Sequence, residues 1–273
     1  LSCCVNNRSY DFNYLEIEST QLWQPGASTQ FSNNLPQTVF IRDELRVKAG
    51  TTLTLNNMIL KFSPEARLVV ENGDGTLQGG KLILNQTTLT VDDRCNPGGL
   101  LWYGVEVWGN ANQAQGTFIT SNQGRMEMRN NSQIDNAWMG VLVGKRTSEL
   151  IEECPDVFNE DIDAFSFDDS RTGGIVRILP GSSLVNNQRG LRFRPYQNNG
   201  LNNVSVINDA DFEWNDNTVA SQYSVQAHVQ LEGVKGIAIR GCRFNNGTSD
   251  FTSPTFQGIG ILSRASQFTV TDY

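Results

Sequence analysis

The stretch from Gly173 to Asn187 does most to limit what this chain can fold into, because its pattern recurs along the sequence. Two apolar residues stand one apart, four or five residues follow, and then come a third apolar residue and an asparagine. Val176 and Ile178 lead to Leu184 and Asn186; Met126 and Met128 lead to Ile134 and Asn136; Val204 and Val206 lead to Phe212 and Asn215. Ile237 and Ile239 lead to Phe244 and Asn246, while Ile259 and Ile261 open a fifth copy that runs on to Phe268 without an asparagine. Residues two apart put their side chains on one side of a strand, which is the period of a half-buried strand and not of a helix. The strand starts at 126, 176, 204, 237 and 259 are 50, 28, 33 and 22 residues apart. The shortest step reads as one bare copy and the longer ones as copies with insertions. Repeats of this size bury their apolar sides only by stacking on one another. The expected fold is therefore all-β, a right-handed parallel β-helix with an asparagine ladder at one corner. Right-handed crossover is the rule for parallel strands, and asparagine tolerates left-handed backbone while its amide bonds to the next copy.

The composition supports that reading. Among 273 residues there are 25 Gly, 28 Asn and only 5 Lys, a turn-dense set with little of helical period. The formal charge of −8 argues against nucleic acid as a partner, since phosphate binding needs a basic stripe. No apolar run approaches ~18 residues, so no membrane span is expected. The chain opens at Leu1 without a charged and then apolar leader, so any export signal is expected to lie upstream or to have been removed. The last residues, Thr269 to Tyr273, read as a strand with no polar cap, so the solenoid is expected to continue beyond them.

The domain division expected from the pattern is an N-terminal cap over residues 1–37 and a β-helix over 38–273. From Thr38 onward, apolar pairs follow closely: Val39 and Ile41, Leu45 and Val47, Leu53 and Leu55, Leu60 and Phe62, Leu68 and Val70, Leu82 and Leu84, Leu89 and Val91. Their offsets of 15 and 14 residues fit either tight coils or shifts from one side of a coil to the next. A second ladder reads Gly, apolar, any, apolar at Gly104–Val107, Gly140–Val143 and Gly190–Phe193, where glycine suits a bend or a close backbone approach. Its outward positions are Glu106 and Trp108, then Leu142, then Arg192 and Arg194. With Trp138, these form the candidate ligand face: aromatic rings beside charges on a flat β surface suit sugars and proteins alike. The competing reading has neighbouring segments covering those rings.

Other candidates are weaker. By the alternation of Val225, Ala227, Val229 and Leu231, His228 should point outward, and no Ser, Cys or acid stands at triad spacing from it. The acidic stretch between Glu149 and Asp169 offers Asp156, Glu160, Asp161 and Asp163 as oxygen ligands of the kind Ca2+ takes, with Asp168 and Asp169 beyond. Its spacing fits no EF-hand or RTX loop, so a solvated excursion is the preferred reading. Cys95 and Cys154 both sit in loop-like sequence and are candidates for a bridge in an oxidising compartment. Cys242 shares the parity of Phe244 and should point inward as a small hydrophobe.

Several motifs carry a family resemblance: V-K-A-G-T-T-L-T-L from Val47, K-F-S-P-E-A-R-L-V-V-E-N-G from Lys61, and C-N-P-G-G-L-L-W-Y-G-V-E-V-W-G-N from Cys95. G-R-M-E-M-R-N-N-S-Q-I-D-N-A-W-M-G-V from Gly124 and G-C-R-F-N-N from Gly241 add to it. In these stretches the chain resembles secreted, surface-associated right-handed β-helix proteins of Bacteroidota, many of them cargo-like for type IX secretion. The resemblance implies an extracellular or cell-surface location and contact with secretion machinery. It brings no catalytic residues. The function expected is a non-catalytic structural or adhesive module that binds extracellular glycans or surface proteins. The rivals are a polysaccharide lyase or glycoside hydrolase, which needs a cation or paired carboxylates on the same face, and a mechanical spacer without a ligand.

Overall fold

The computed structural model describes residues 11–64, 66–96, 98–147, 166–219, 223–247 and 258–272. The chain is nearly all β, and most strands pair in parallel with the strand three places further on, or five where β13 and β14 intervene. Strands β1 (Asp11–Ile17), β2 (Gln21–Trp23) and β3 (Thr38–Val47) begin the stack. Six complete three-strand units follow, of which the first four are β4 (Thr52–Asn56), β5 (Ile59–Phe62), β6 (Arg67–Val70); β7 (Lys81–Asn85), β8 (Thr88–Val91), β9 (Trp102–Val107); β10 (Arg125–Arg129), β11 (Gln133–Asp135), β12 (Ala137–Val143); and, after the small antiparallel pair β13 (Lys145–Arg146) and β14 (Phe167–Asp168), β15 (Ile175–Ile178), β16 (Ser183–Val185), β17 (Arg189–Phe193). The stack ends in β18 (Val206–Asn208), β19 (Asp211–Trp214), β20 (Ala227–Glu232), β21 (Lys235–Arg240), β22 (Arg243–Asn246), β23 (Ile259–Arg264) and β24 (Gln267–Thr271).

First strands make one sheet, β2-β4-β7-β10-β15-β18-β21-β24. Second and third strands make the other, joined through β3, which is long enough to pair with both β5 and β6. The closely spaced apolar pairs near the N-terminus are therefore successive sides of one unit: Leu53, Leu60 and Leu68 lie on its first, second and third strands. The strands also begin earlier than Thr38, because β1 pairs with β3 and β2 with β4. Across the N-terminal end, Phe31 packs edge-on against Trp23 at 6.1 Å and tilted against Phe12 at 5.6 Å, with Leu35 buried beside them.

The alternating apolar residues of both sheets share one buried core, among them Leu53, Leu82, Met126, Val176, Leu60, Leu89, Ile134, Leu184, Leu68, Val105, Val141 and Leu191. Each such side chain contributes roughly 1.5–3 kcal/mol on leaving water. Phe62 stacks on Trp102 at 4.2 Å and Phe212 on Phe244 at 5.1 Å, so aromatic pairs bridge neighbouring units inside the stack.

Two positions in the repeat are corrected. Ile178 pairs with Ile207 and Arg177 with Val206, so the buried partner of the repeat is Ile207, one residue beyond the expected Val206. Ser205 takes the place expected for Val204, and its hydroxyl accepts a hydrogen bond from the Val176 amide at 3.0 Å. Ile259 does not open a new copy: β23 pairs with the third strand β20, and the next first strand is β24, where Phe268 meets Ile237. The unit spacing is therefore more even than the steps of 33 and 22 residues suggested.

The corners follow from backbone conformation. At the first corner a single left-handed residue suffices where four residues separate the apolar positions, as with Asn57, Gln86, Asp209 and Gly241. Where the gap is five, Asn130 and Asn131 are both left-handed in one copy and Gly181 alone in the next. At the second corner Asn136 and Asn186 are left-handed, as the asparagine ladder required. Asn186 donates through Nδ2 to Asn215 Oδ1 at 3.1 Å and accepts from the Asn215 amide at 2.8 Å. A second amide ladder runs along the first corner: Asn130 donates to Asn85, Asn85 to Asn56, and Asn56 to Gln24.

Candidate functional site

The third-strand outer side, where the sequence placed the ligand face, is a closed charged layer. The positions expected to be open are buried: Glu106 is 2%, Trp108 7%, Trp138 5% and Arg192 0% exposed. Glu106 receives Arg146 at 3.3 Å and Arg67 at 3.5 Å, and Trp108 donates its indole N–H to Glu106 Oε2 at 2.8 Å. Arg67 and Arg46 also share Glu44, at 2.6 and 2.5 Å. On the next units Arg192 and Arg194 both pair with Glu232, at 3.0 and 2.7 Å, and Arg194 reaches Asp169 at 3.1 Å.

The cover comes from elements that leave the stack. β13 and β14 lie over this layer: the Arg146 guanidinium stands 3.5 Å from the Tyr103 ring, and Phe167 lies 4.5 and 4.3 Å from the Arg192 and Arg194 guanidinium groups. Trp138 sits in a separate apolar cluster with Leu101, Tyr103, Met139 and Leu142, against which Phe167, Val219 and Tyr223 pack. Its ring meets Tyr223 edge-on at 4.7 Å. Glu106 and Trp108 thus partner each other, Arg192 and Arg194 share Glu232, and Trp138 joins a separate apolar cluster, so the candidates form no open platform. Opposite charges in close pairs under aromatic rings are how a folded chain tolerates ionised groups away from water.

His228 is a second correction, since it is 5% exposed rather than outward-facing. It occupies the glycine row: Gly140 neighbours Gly190, which neighbours His228. A Cβ on Gly190 would stand 2.5 Å from the His228 carbonyl oxygen and 3.1 Å from the Phe212 ring, which accounts for glycine there and shows that this row faces the core. The imidazole accordingly lies 6.3 and 6.1 Å from the Phe212 and Phe244 rings. Burial pulls its pKa down to about 4, against a hydrogen bond with the Asn245 backbone that acts the other way. A neutral histidine so placed is a packing residue.

Two further outer positions went unnoticed in the sequence. On the second strands, Asp135 is buried enough that its carboxyl is pushed up from the usual range, and Gln133 and Asn136 donate to it at 2.8 and 3.2 Å. Glu213 lies in the same row, two strands along through Val185. On the first strands, R-M-E-M-R of β10 alternates charged and apolar residues, and its outward side chains Arg125, Glu127 and Arg129 meet Lys81 and Arg177 of the flanking strands. That alternation was legible, but only pairing with β7 and β15 shows that the cations converge.

The side chain of Cys95, together with Cys154, Asp156, Glu160, Asp161 and Asp163, lies outside the described residues. Among the described residues no cluster of three His, Cys, Asp or Glu is arranged to hold a metal ion, and no helix is long and apolar enough to cross a membrane. Cys242 packs partly buried against the core as its parity required, and burial pushes its thiol up. No family model, curated protein or solved structure matches this chain.

Proposed function

We propose that this chain is a right-handed parallel β-helix module of a secreted or cell-surface protein, non-catalytic and adhesive, that binds extracellular glycans or partner proteins on an outer side of its stack. The winding rests on the three-strand repeat, because parallel strands joined by crossovers take the right-handed path. The location and a role as type IX secretion cargo rest on the resemblance of the Cys95–Asn110 and Gly124–Val141 stretches to Bacteroidota surface proteins.

The observation that carries the adhesive reading is the contrast between outer sides: the third strands β9, β12, β17 and β20 are sealed by their own partners, while first and second strands present polar and charged rows at strand spacing. A rigid array of that kind suits recognition of an extended ligand, because the binding groups need no ordering. A glycan array run with a lyase and hydrolase activity panel tests it. Binding without turnover is the expected result, and turnover of any polysaccharide would overturn the non-catalytic reading.

One observation favours a hydrolase as the second reading. The backbones of Asp135 and Glu213 lie two strand spacings apart, roughly 9.5 Å, at the upper end of the separation of about 6.5–9.5 Å that inverting glycosidases keep between their carboxyl groups. The raised Asp135 carboxyl suits a proton donor. Under that reading the panel shows turnover that Asp135→Asn removes.

A further inference from the structure

We infer that the outer side of β7, β10 and β15 is a binding site for an acidic glycan, held through its carboxylate or sulfate groups by Lys81, Arg129 and Arg177. This deepens the adhesive reading by naming the ligand class and the side that takes it.

The register builds the site. Lys81 pairs with Arg125, Asn85 with Arg129, and Glu127 with Arg177, so three neighbouring strands bring four cations to one outer side, two of them onto the Glu127 carboxylate. Glu127 holds one arginine with each oxygen: Arg129 on Oε1 at 3.1 Å and Arg177 on Oε2 at 3.3 Å. Each contact engages a single Nη1, so both guanidinium groups keep donors for a second acceptor. The two arginine side chains are 41% and 38% exposed, against 0% for Arg192, so a solute can reach them. Arg129 Nε is buried without a hydrogen-bond partner.

Positive charge exceeds negative at this spot although the chain as a whole carries −8. Burial lowers the pKa of Lys81, and the charges of Arg125, Arg129 and Arg177 lower it further against the single opposing effect of Glu127. An anion placed here would relieve that repulsion. Lys81 Nζ and Arg177 Cζ each stand 5.0 Å from the Phe118 ring, an apolar neighbour that strengthens the local field.

Arg125 is a positioning residue. Its guanidinium donates to the carbonyls of Phe118, Ile119 and Gly79 at 3.2, 2.5 and 2.7 Å, which fixes the excursion that carries Phe118. The base of that excursion is pinned by Gln115, which is wholly buried and donates to the Gly173 and Gly174 carbonyls at 3.1 Å.

A sugar chain is favoured over nucleic acid. The cluster spans three strands, roughly 10 Å, enough for one or two anionic groups, and the chain's charge of −8 supplies no longer basic stripe of the kind that tracks a phosphate backbone. Carboxylate and sulfate share the oxygen chemistry that a guanidinium fork accepts.

The test is binding of the whole chain to polygalacturonate, dextran sulfate, neutral dextran and a single-stranded oligonucleotide at low and high salt. The expected result is salt-sensitive binding to one or both acidic glycans, weakened at least tenfold in Arg129→Gln with Arg177→Gln. Lys61→Gln with Arg243→Gln, the same charge change on the second strands, should leave it within about twofold. The preferred anionic group is read from which acidic glycan binds. Glu127→Gln should tighten binding by removing the competing carboxylate. Should the double arginine variant fail to fold, Lys81→Gln decides, with a loss of several-fold expected. Equal losses in both double variants, or an oligonucleotide bound as well as the glycans, would overturn the site. Binding to other glycans on the array without any to acidic ones would sink the site and leave the adhesive reading standing, whereas polysaccharide turnover would sink that reading instead.

Discussion

The outer sides of the third and first strands use the same device, a glutamate held between two arginines, and put it to opposite ends. Glu106 between Arg67 and Arg146 lies under Trp108, Tyr103 and the β13–β14 pair, whereas Glu127 between Arg129 and Arg177 keeps both arginines open to solvent. The pairing chemistry is alike; what lies over it differs. Covered, the pairs lock neighbouring units together, and a ligand has no way in. Covered only in part, with Glu127 buried but Arg129 and Arg177 reaching solvent, they leave donors unspent, which is what a recognition surface needs. Charged residues on a stacked β fold therefore say little about binding until their cover is known.

The strongest way to break this comparison is to remove each glutamate. Glu106→Ala removes the buried carboxylate that Arg67, Arg146 and Trp108 share and is expected to cost about 3–5 kcal/mol in urea unfolding. Glu127→Ala, whose arginines can turn to water, is expected to cost about 1 kcal/mol or less. Equal costs would erase the distinction between the two sides.

Acidification probes the closed region through His228. Its folded pKa of about 4 lies below the ordinary 6.5, so the unfolded chain binds the extra proton between those values. The stability it contributes is complete above pH 6.5 and is lost as pH falls toward 4, by about 3 kcal/mol. Asp135, with its carboxyl raised, works in the opposite direction across the carboxylate range. The clean measurement is therefore the pH slope of unfolding in the native chain against His228→Leu between pH 6.5 and 4.5. An unchanged slope in the variant would show that the imidazole is not held neutral.

The corners give the smallest expected contrast. Asn186→Ala loses both a left-handed residue and two bonds to Asn215, about 1–2 kcal/mol. Asn85→Ala loses only half-exposed amide bonds to Asn56 and Asn130, less than about 1 kcal/mol. Thermal unfolding of the two variants side by side checks the order.

The sequence by itself determined the period of the strands, the shared core and the corners. Alternation two apart dictates which side chains turn inward, and left-handed backbone favours Asn136 and Asn186. The glycine row at Gly104, Gly140 and Gly190 was legible for the same kind of reason: a Cβ at any of them would collide with the carbonyl oxygen of a neighbouring strand. Register at Ile207 was not, because Val204, Val206 and Ile207 offer apolar residues of both parities and only pairing with Ile178 chooses between them. Exposure was beyond reach altogether. Parity says that Glu106, Trp108, Arg192 and Arg194 leave the core, yet Phe167 and the β13–β14 pair, which enclose them, stand apart in sequence from most of the residues they cover. The same holds for the cations of β7, β10 and β15, which tertiary pairing draws from positions 81 to 177 into one cluster. Side-chain direction is a local property of a strand, whereas cover and convergence depend on which distant segments the fold lays alongside it.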